Sequence, residues 1–271
     1  PFFDLATIGA IVVKSLAAFE WAGNPAPRLH PTPQGLLNSV GLQGPGIPHW
    51  LANELPRLLD RGATVVASIW GRTVDEYRRA AELLVAAPDA VVAVEVNLSC
   101  PNLEGRGGMF AHDEEMSAAV IGATDGCGRP RWAKLSPNTD RLVEVARAVR
   151  AAGADAVTLV NTLLGMVVDP TTRRPALGAG GGGLSGRAIH PVAVRAVHDV
   201  HQACPDLPIV GVGGVASGWD AAELMIVGAN AVQVGTATFE DPAAPRRVLD
   251  DLVRWADAAG IRHLADLGAL A

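Results

Sequence analysis

The sequence predicts one α/β domain, residues 1–271, of the (β/α)8 TIM barrel class. Seven short runs rich in Val, Ile and Ala alternate with segments of helical periodicity. Apolar runs with few polar alternations are typical of strands covered on both faces. Strand–helix alternation implies parallel strands joined by right-handed crossovers. The chain of 271 residues, 49% hydrophobic and 18% charged, has the length and apolar content of a single barrel with one core.

The strands are predicted where β-branched and small apolar residues dominate the chain. These runs are Ala10–Val13, Thr64–Trp70, Ala90–Leu98, Arg131–Ser136, Ala156–Val160, Pro208–Val212 and Ala231–Thr236. Apolar residues at three-to-four spacing predict the helices between them. The clearest are Val74–Ala86, Thr139–Ala152, Pro191–Ala203 and Asp220–Val227. Two stretches rich in Gly, Pro and Asn, Leu16–Gly46 and Gly165–Ser185, are predicted to be binding loops rather than linkers.

The strand count falls one short of the eight that a closed barrel needs. Phe2–Ile8 has the pattern of a helix whose own strand does not precede it, whereas the helical pattern at the other end runs on through residues 242–270. The barrel is therefore expected to lack its first, N-terminal strand. A doubly wound open sheet is the alternative, and it is disfavoured because no G-x-G-x-x-G sequence follows the first predicted strand.

Composition excludes several classes of function. The 28 acidic and 22 basic residues give a net charge of -6, and the basic residues are scattered, which argues against nucleic acid or an anionic membrane as the main partner. No run reaches the roughly 18 apolar residues of a membrane span. Three cysteines without a C-x-x-C pair, and seven histidines without metal-ligand spacing, predict neither zinc nor another metal. A reducing cytoplasm is the expected location.

Polar residues cluster at the predicted carboxyl ends of the strands, where barrel enzymes carry their chemistry. These residues are Lys14, Ser68, Asn97 with Cys100, Lys134, and Asn161 with Thr162. A buried ammonium or amide without a partner is costly, so we expect them to line one polar site. Two lysines facing one site favour an electron-rich ring or a carboxylate as the ligand. The alternative for either lysine alone is a surface side chain with a buried stem.

The last two strands end in glycines suited to an anion. Gly213-Gly214 and Gly235-Thr236 would let backbone N–H groups approach a phosphate, and a helix begins nearby. The alternative is that these glycines only form tight turns. Earlier in the chain, Cys100 lies among polar residues before Pro101, where a thiol can act as nucleophile or general base. Asn97 and Asn102 offer the paired donors and acceptors that an amide or imide ring requires.

Five strings in order along the chain resemble the dihydroorotate dehydrogenase family. They are Asn97-Leu-Ser-Cys-Pro-Asn102, Lys134-Leu-Ser-Pro-Asn138, Val160-Asn-Thr-Leu-Leu-Gly-Met166, Gly182-Gly-Leu-Ser-Gly186 and Asn38-Ser-Val-Gly-Leu42. The resemblance implies an FMN-containing barrel that oxidises (S)-dihydroorotate to orotate in pyrimidine biosynthesis. It makes Cys100 the base that removes the C5 proton while the C6 hydride passes to the flavin.

The same resemblance assigns binding roles to individual residues. Residues expected to hold the substrate are Lys14, Asn38, Ser39, Val40, Gly41, Leu42, Asn97, Asn102, Asn161 and Thr162. Residues expected to hold FMN are Lys14, Ser15, Ser68, Asn97, Lys134, Val160, Gly186, Gly213, Gly214, Gly235 and Thr236. Among the latter, Lys134 is expected to stabilise negative charge on the reduced flavin.

Within the family, Cys100 and the segments Gly23–Arg28 and Asn161–Met166 resemble the NAD-linked class. That class implies a partner subunit carrying FAD and a [2Fe-2S] cluster, and a homodimer of catalytic subunits. The chain departs from the family at Ser68 and Gly44, where asparagine is usual, and in the glycine run Gly178–Gly183. Alternative readings are a dihydropyrimidine dehydrogenase-like flavoprotein, which typically has histidine at the position of Asn102, and a truncated, non-catalytic barrel.

Overall fold

The computed structural model describes residues 2–99 and 109–267. These residues divide into two compact units. The N-terminal unit comprises Asp4–Gly23 and Gly41–Thr158, and the C-terminal unit comprises residues 2–3, Asn24–Val40 and the chain from Leu159 onward. The organisation of residues 1–271 as one domain stays a prediction.

Strands and helices alternate along most of the chain. The strands are β1 (Ile11–Val12), β2 (Leu29–Thr32), β3 (Gly35–Asn38), β4 (Val65–Ile69), β5 (Val91–Asn97), β6 (Arg131–Lys134), β7 (Ala156–Leu159), β8 (Leu163–Gly165), β9 (Gly182–Ser185), β10 (Ile209–Val212) and β11 (Ala231–Gln233). The α-helices are α1 (Ile47–Asn53), α2 (Leu55–Leu59), α3 (Val74–Leu84), α4 (Glu114–Ala123), α5 (Leu142–Ala151), α6 (His190–Ala203), α7 (Gly218–Ile226), α8 (Ala237–Glu240) and α9 (Ala244–Ala258).

The main sheet has seven strands that follow chain order, β1-β4-β5-β6-β7-β10-β11. The N-terminal unit holds the parallel pairs from β1 to β7. In the C-terminal unit β10 pairs in parallel with β11, and the Val160 N–H donates to the Val212 carbonyl at 2.7 Å. Each of the seven strands overlaps one of the seven predicted runs. The (β/α)8 class, with seven of its strands in the described residues, is therefore confirmed.

Strand β5 illustrates why these runs form the sheet interior. Six of its seven residues are buried, and the exception is Val92. A strand buried on both faces needs apolar residues at successive positions, so it lacks the alternation of a half-exposed strand. Helix α3 begins after Thr73, whose hydroxyl accepts a hydrogen bond from the Glu76 N–H, and it buries Tyr77 and Leu84. This cap satisfies one of the backbone donors exposed at a helix start.

A second, antiparallel sheet was not predicted from the sequence. Its order is β2-β3-β9-β8, and three of its strands lie within the stretches expected to be loops. Glycine allows this sheet to form, because a Cβ on Gly183 would lie 2.1 Å from the Thr162 hydroxyl oxygen, and one on Gly182 2.4 Å from the Asn38 carbonyl oxygen. The same glycines gave the sequence its loop-like composition.

Two terminal segments also differ from the prediction. Residues 2–8 contain a short 3-10 turn, Leu5–Thr7, instead of an α-helix. At the other end, α9 is followed by a 3-10 turn at Leu264–Leu267. In residues 2–99 and 109–267, none of the helices combines the length and the apolar character required to span a bilayer.

Candidate active site

The strand-end cluster consists of Ser15, Ser68, Asn97 and Lys134 in the N-terminal unit. Ser68 lies inside β4, Asn97 and Lys134 are the last residues of β5 and β6, and Ser15 follows β1. Carboxyl ends of parallel strands meet at one sheet edge, which is where functional groups of such sheets collect. Ser15, Ser68 and Asn97 are all buried. Ser68, Asn97 and Lys134 from the predicted strand-end set thus lie toward the carboxyl ends of neighbouring strands, next to Ser15, and their role as one binding site stays a prediction.

Hydrogen bonds fix the Asn97 side chain. Its Nδ2 donates to Ser15 Oγ at 3.2 Å, and its Oδ1 accepts from the Ser99 N–H at 3.1 Å. Ser15 Oγ and Ser68 Oγ are 2.9 Å apart and share a further hydrogen bond. The Tyr77 hydroxyl donates to the Asn97 carbonyl at 2.6 Å, which ties the strand end to α3. The amide therefore has a defined orientation, and Ser68 contributes to it indirectly, through its hydrogen bond with Ser15.

Lys134 is paired with a buried carboxylate that the sequence reasoning missed. Its Nζ lies 3.2 Å from Glu95 Oε1, and the Thr158 hydroxyl donates to Glu95 Oε2 at 3.1 Å. Glu95 is 1% exposed, whereas the Lys134 side chain is 19% exposed. The signal was present in the sequence, because Glu95 is the one charged residue within the run Ala90–Leu98. A buried charge in such a run requires a partner.

An aromatic cluster beside this edge consists of Phe19, Trp21 and Trp70, with Arg72 over the rings. The guanidinium carbon is 4.8 Å from the Phe19 ring centre and 4.9 Å from that of Trp21. The Trp21 indole N–H donates to the Gly41 carbonyl at 3.0 Å. The cluster therefore anchors Gly41, which lies in the segment expected to bind substrate.

Arg72 also pairs with Glu76 in the first turn of α3, with 2.7 Å between Nη2 and Oε1. Burial raises the pKa of Glu76, but hydrogen bonds from the Arg72 side chain and backbone, together with its charge, outweigh burial and hold that pKa below its ordinary value. The hydrogen bond to Glu76 raises the pKa of Arg72. Both groups of this pair are therefore charged over the neutral pH range.

The glycine cradle, Gly186, Gly213 and Gly214, lies in the C-terminal unit. Gly214 has φ 71°, and a Cβ there would lie 2.7 Å from the His190 Cβ. A Cβ on Gly213 would lie 2.7 Å from the Ala193 Cβ, and one on Gly186 2.6 Å from the Gly35 Cα. The backbone of the cradle can take this path only without side chains.

Two groups border the cradle. His190 Nδ1 is 2.7 Å from the Gly213 carbonyl oxygen, and its Nε2 is 3.1 Å from Glu223 Oε2. Thr236 Cγ2 lies 3.5 Å from the Cβ position of Gly186. Gly235 has open space where its Cβ would be, with nothing within 4 Å among the described atoms. Among the described atoms, packing therefore does not require glycine at position 235.

Substrate-binding residues predicted in the C-terminal unit lie in the antiparallel sheet or next to its strands. Asn38 Nδ2 donates to the Gly183 carbonyl at 3.2 Å, and Asn161 Oδ1 accepts from the Thr162 N–H at 2.9 Å. The Ser39 backbone is held by Arg28 and Asn24, while its buried Oγ has no hydrogen-bond partner in the described part of the chain. A buried hydroxyl of this kind is suited to a polar ligand.

The remaining predicted residues are distributed as follows. Val160 is buried beside β10, and Val40 accepts a hydrogen bond from the Asn24 N–H. In the N-terminal unit, Leu42 has a positive φ of 61°. Lys14 is exposed and lines a cavity of about 350 Å³. Cys100 and Asn102 lie outside the described residues.

Comparison with known proteins identifies the chain's relatives. The family model described as dihydroorotate dehydrogenase matches residues 2–255. The catalytic subunit of dihydroorotate dehydrogenase B (NAD(+)) from Desulforudis audaxviator is 46% identical over 268 residues, covering 98% of this chain and 87% of that protein. The subunit of the same name from Listeria monocytogenes is 42% identical over 267 residues, with the same two coverages. The subunit from Trichlorobacter lovleyi is 43% identical over 271 residues, covering 99% and 88%. This chain belongs to the dihydroorotate dehydrogenase family and is an oxidoreductase.

Proposed function

We propose that this chain is the catalytic subunit of an NAD-linked dihydroorotate dehydrogenase, which oxidises (S)-dihydroorotate to orotate with FMN. The observation that carries the proposal is the strand-end cluster. It holds the oriented Asn97 amide and the Lys134 ammonium on paired residues of neighbouring strands. An amide with both a donor and an acceptor recognises imide edges, and an ammonium favours an electron-rich ring. The names of the relatives supply the reaction.

The residues fit FMN at two places. Ser15, Ser68, Asn97 and Lys134, with Lys14, would hold the flavin ring. Val160, the glycine cradle and Gly235-Thr236 would hold the ribityl phosphate, with backbone N–H groups as donors. The side-chain-free path of the cradle supports this assignment, and the open space at Gly235 leaves room for the phosphate. When bound, FMN supplies a two-electron acceptor for the hydride that leaves C6 of dihydroorotate.

The substrate would be held by amide, hydroxyl and ammonium groups. Lys14 provides positive charge for the dihydroorotate carboxylate. Asn38 to Leu42, Asn97, Asn102, Asn161 and Thr162 provide the donors and acceptors that a ring with two carbonyls and two N–H groups requires. The buried Ser39 hydroxyl supports this role, because a polar ligand would supply its partner.

Cys100 would act as the general base. Its thiolate would accept the proton from C5, and the electron pair of the C5–H bond would form the C5=C6 double bond of orotate. The hydrogen on C6 would leave with its bonding electron pair, as the hydride that FMN accepts. Removal of the proton by a positioned side chain typically contributes about 10²–10⁴-fold in rate. A thiol serves this purpose better than a hydroxyl, because it ionises at lower pH.

The assignment of Cys100 is tested with two cysteine variants. Cys100→Ala is expected to retain yellow, FMN-loaded protein and to reduce its flavin with dihydroorotate at least about 100-fold more slowly. Cys100→Ser should keep a small rate that rises with pH. Cys127→Ala is the matched control, since Cys127 is buried and its thiol donates to the Arg129 carbonyl at 3.3 Å. Stopped-flow flavin absorbance measures each rate.

Two outcomes would contradict the proposal. Unchanged flavin reduction in Cys100→Ala would remove Cys100 from the role of base. A colourless wild-type protein that does not take up added FMN would overturn the proposed function itself.

We further propose that electrons leave through a separate subunit that carries FAD and a [2Fe-2S] cluster. The relatives are named catalytic subunits of an NAD(+)-linked enzyme, which supports a division of labour between two chains. A homodimer of catalytic subunits and a cytoplasmic location belong to the same proposal.

A further inference from the structure

Glu95, Lys134 and Thr158 form a polar row across three consecutive strands of the N-terminal unit. Lys134 is the register partner of both Asn97 and Thr158, and Glu95 lies two residues before Asn97 on the same face of β5. Both Glu95 carboxylate oxygens accept hydrogen bonds, one from the Lys134 ammonium and one from the Thr158 hydroxyl. The Glu95 carboxylate, two residues before the end of the neighbouring strand β5, therefore fixes the position of the Lys134 ammonium at the end of β6.

Stability alone is a poor reason for this pair. Taking two charges out of water costs free energy that their attraction often does not recover, and apolar residues of similar volume frequently serve a core as well or better. The pair does place a negative charge beside the ammonium. Because an ammonium has three N–H donors, Lys134 retains donors for a ligand after Glu95 has accepted one.

We propose that Glu95 is a positioning residue that orients Lys134 toward the flavin and lowers the midpoint potential of bound FMN by offsetting part of the lysine's charge. The inference rests on the proposed function, in which Lys134 contacts the flavin ring. Bound FMN would carry more negative charge on that ring when reduced, and Lys134 would stabilise that charge. The Glu95 carboxylate opposes the same charge through space, so the net stabilisation is smaller than Lys134 alone would give.

The test is the midpoint potential of FMN bound to the full chain, measured by titration against a redox dye. Glu95→Gln keeps the shape of the side chain and removes its charge. Reduced FMN should then bind about tenfold more tightly relative to oxidised FMN, which equals a rise of about 30 mV for a two-electron couple. Thr158→Val is the matched control. It removes the hydrogen bond from Thr158 to Glu95 but leaves both charges, so the potential should stay near that of the wild type.

Two further variants keep the test decisive. Glu95→Asp retains the charge but withdraws it from Lys134 by one methylene, so its potential should fall between wild type and Glu95→Gln. If Glu95→Gln does not fold, Glu95→Asp becomes the test variant. A potential of Glu95→Asp equal to or below that of the wild type would then overturn the inference. Lys134→Met/Glu95→Gln should have a lower potential than Glu95→Gln.

The outcomes separate this inference from the proposed function. If Glu95→Gln has the wild-type potential while the double variant is shifted, Lys134 contacts the flavin but Glu95 does not tune it, and the inference is wrong. If neither variant shifts the potential, the placement of Lys134 at the flavin fails as well. If wild-type protein binds no FMN, both proposals fall together.

Discussion

The strand-end cluster and the glycine cradle are built on opposite principles. In the cluster, side chains are held by other side chains: Ser15 holds Asn97, and the neighbouring Glu95 holds Lys134. In the cradle, the backbone takes its path because side chains are missing, since a Cβ at Gly213 or Gly214 would overlap a neighbour. A site made of side chains should respond to changes of charge, whereas one made of backbone should respond to added volume.

The largest effect is expected when the ion pair between Lys134 and Glu95 is broken. Lys134→Met removes the ammonium that lies 3.2 Å from the buried Glu95 carboxylate, and breaking a buried ion pair in this way should lower the free energy of unfolding by about 3–5 kcal/mol. Adding Glu95→Gln should recover most of that loss, because the carboxylate that needs a partner is then absent. Urea denaturation of the single and double variants measures both values. Equal stabilities for the two variants would mean that the cluster does not depend on charge compensation.

A smaller effect is expected where volume is added to the cradle. Gly214→Ala must adopt a left-handed backbone and overlap His190, and these two costs together should destabilise the protein by about 2–4 kcal/mol. Gly235→Ala is the matched control, because its Cβ enters open space. It should change stability by less than about 0.5 kcal/mol.

The same pair of variants distinguishes folding from binding. Gly235→Ala should weaken FMN binding measured by fluorescence titration even though it leaves the fold intact, because its Cβ would occupy the space assigned to the phosphate. Full FMN affinity in this variant would place the phosphate elsewhere.

A second comparison, between the parallel strands and the antiparallel sheet, shows which parts of the fold the sequence could predict. The parallel strands were found because strands such as β5 are apolar over a continuous local stretch. The antiparallel sheet was missed because its evidence is not local: Asn38 and the Gly183 carbonyl that it contacts are 145 residues apart. Glycines that permit such a close approach have the same composition as a loop.

The candidate site shows the same division. Lys134 and Asn97 were recognised as polar residues at strand ends. Glu95 was not predicted as a site residue, because it lies two residues before the end of β5 and no local pattern shows which residue its carboxylate contacts. The strand register is what brings its carboxylate to Lys134.

The smallest effect is expected at the ion pair of Arg72 and Glu76, which lies outside the cluster. It shows whether charge pairs elsewhere in this unit also contribute to stability. The pKa of Glu76 is lower in the folded protein than its ordinary value. The stabilisation from this pair is therefore fully present above the unfolded glutamate pKa of about 4.3, and it is lost as pH falls through the lower, folded pKa. Because Arg72 is partly exposed, screening by solvent should limit the contribution to about 0.5 kcal/mol.

Glu76→Gln isolates this contribution from that of the other carboxylates. The difference in unfolding free energy between wild type and variant should be about 0.5 kcal/mol at pH 7 and should vanish below the folded pKa of Glu76. High salt should reduce it at pH 7, since ions screen an exposed pair. A difference that persists unchanged at low pH would assign the stabilisation to packing of the Glu76 side chain. Arg72 would then be held by the Phe19 and Trp21 rings. Of the two ion pairs compared, Lys134 with Glu95 would be the one whose charges affect the free energy of unfolding.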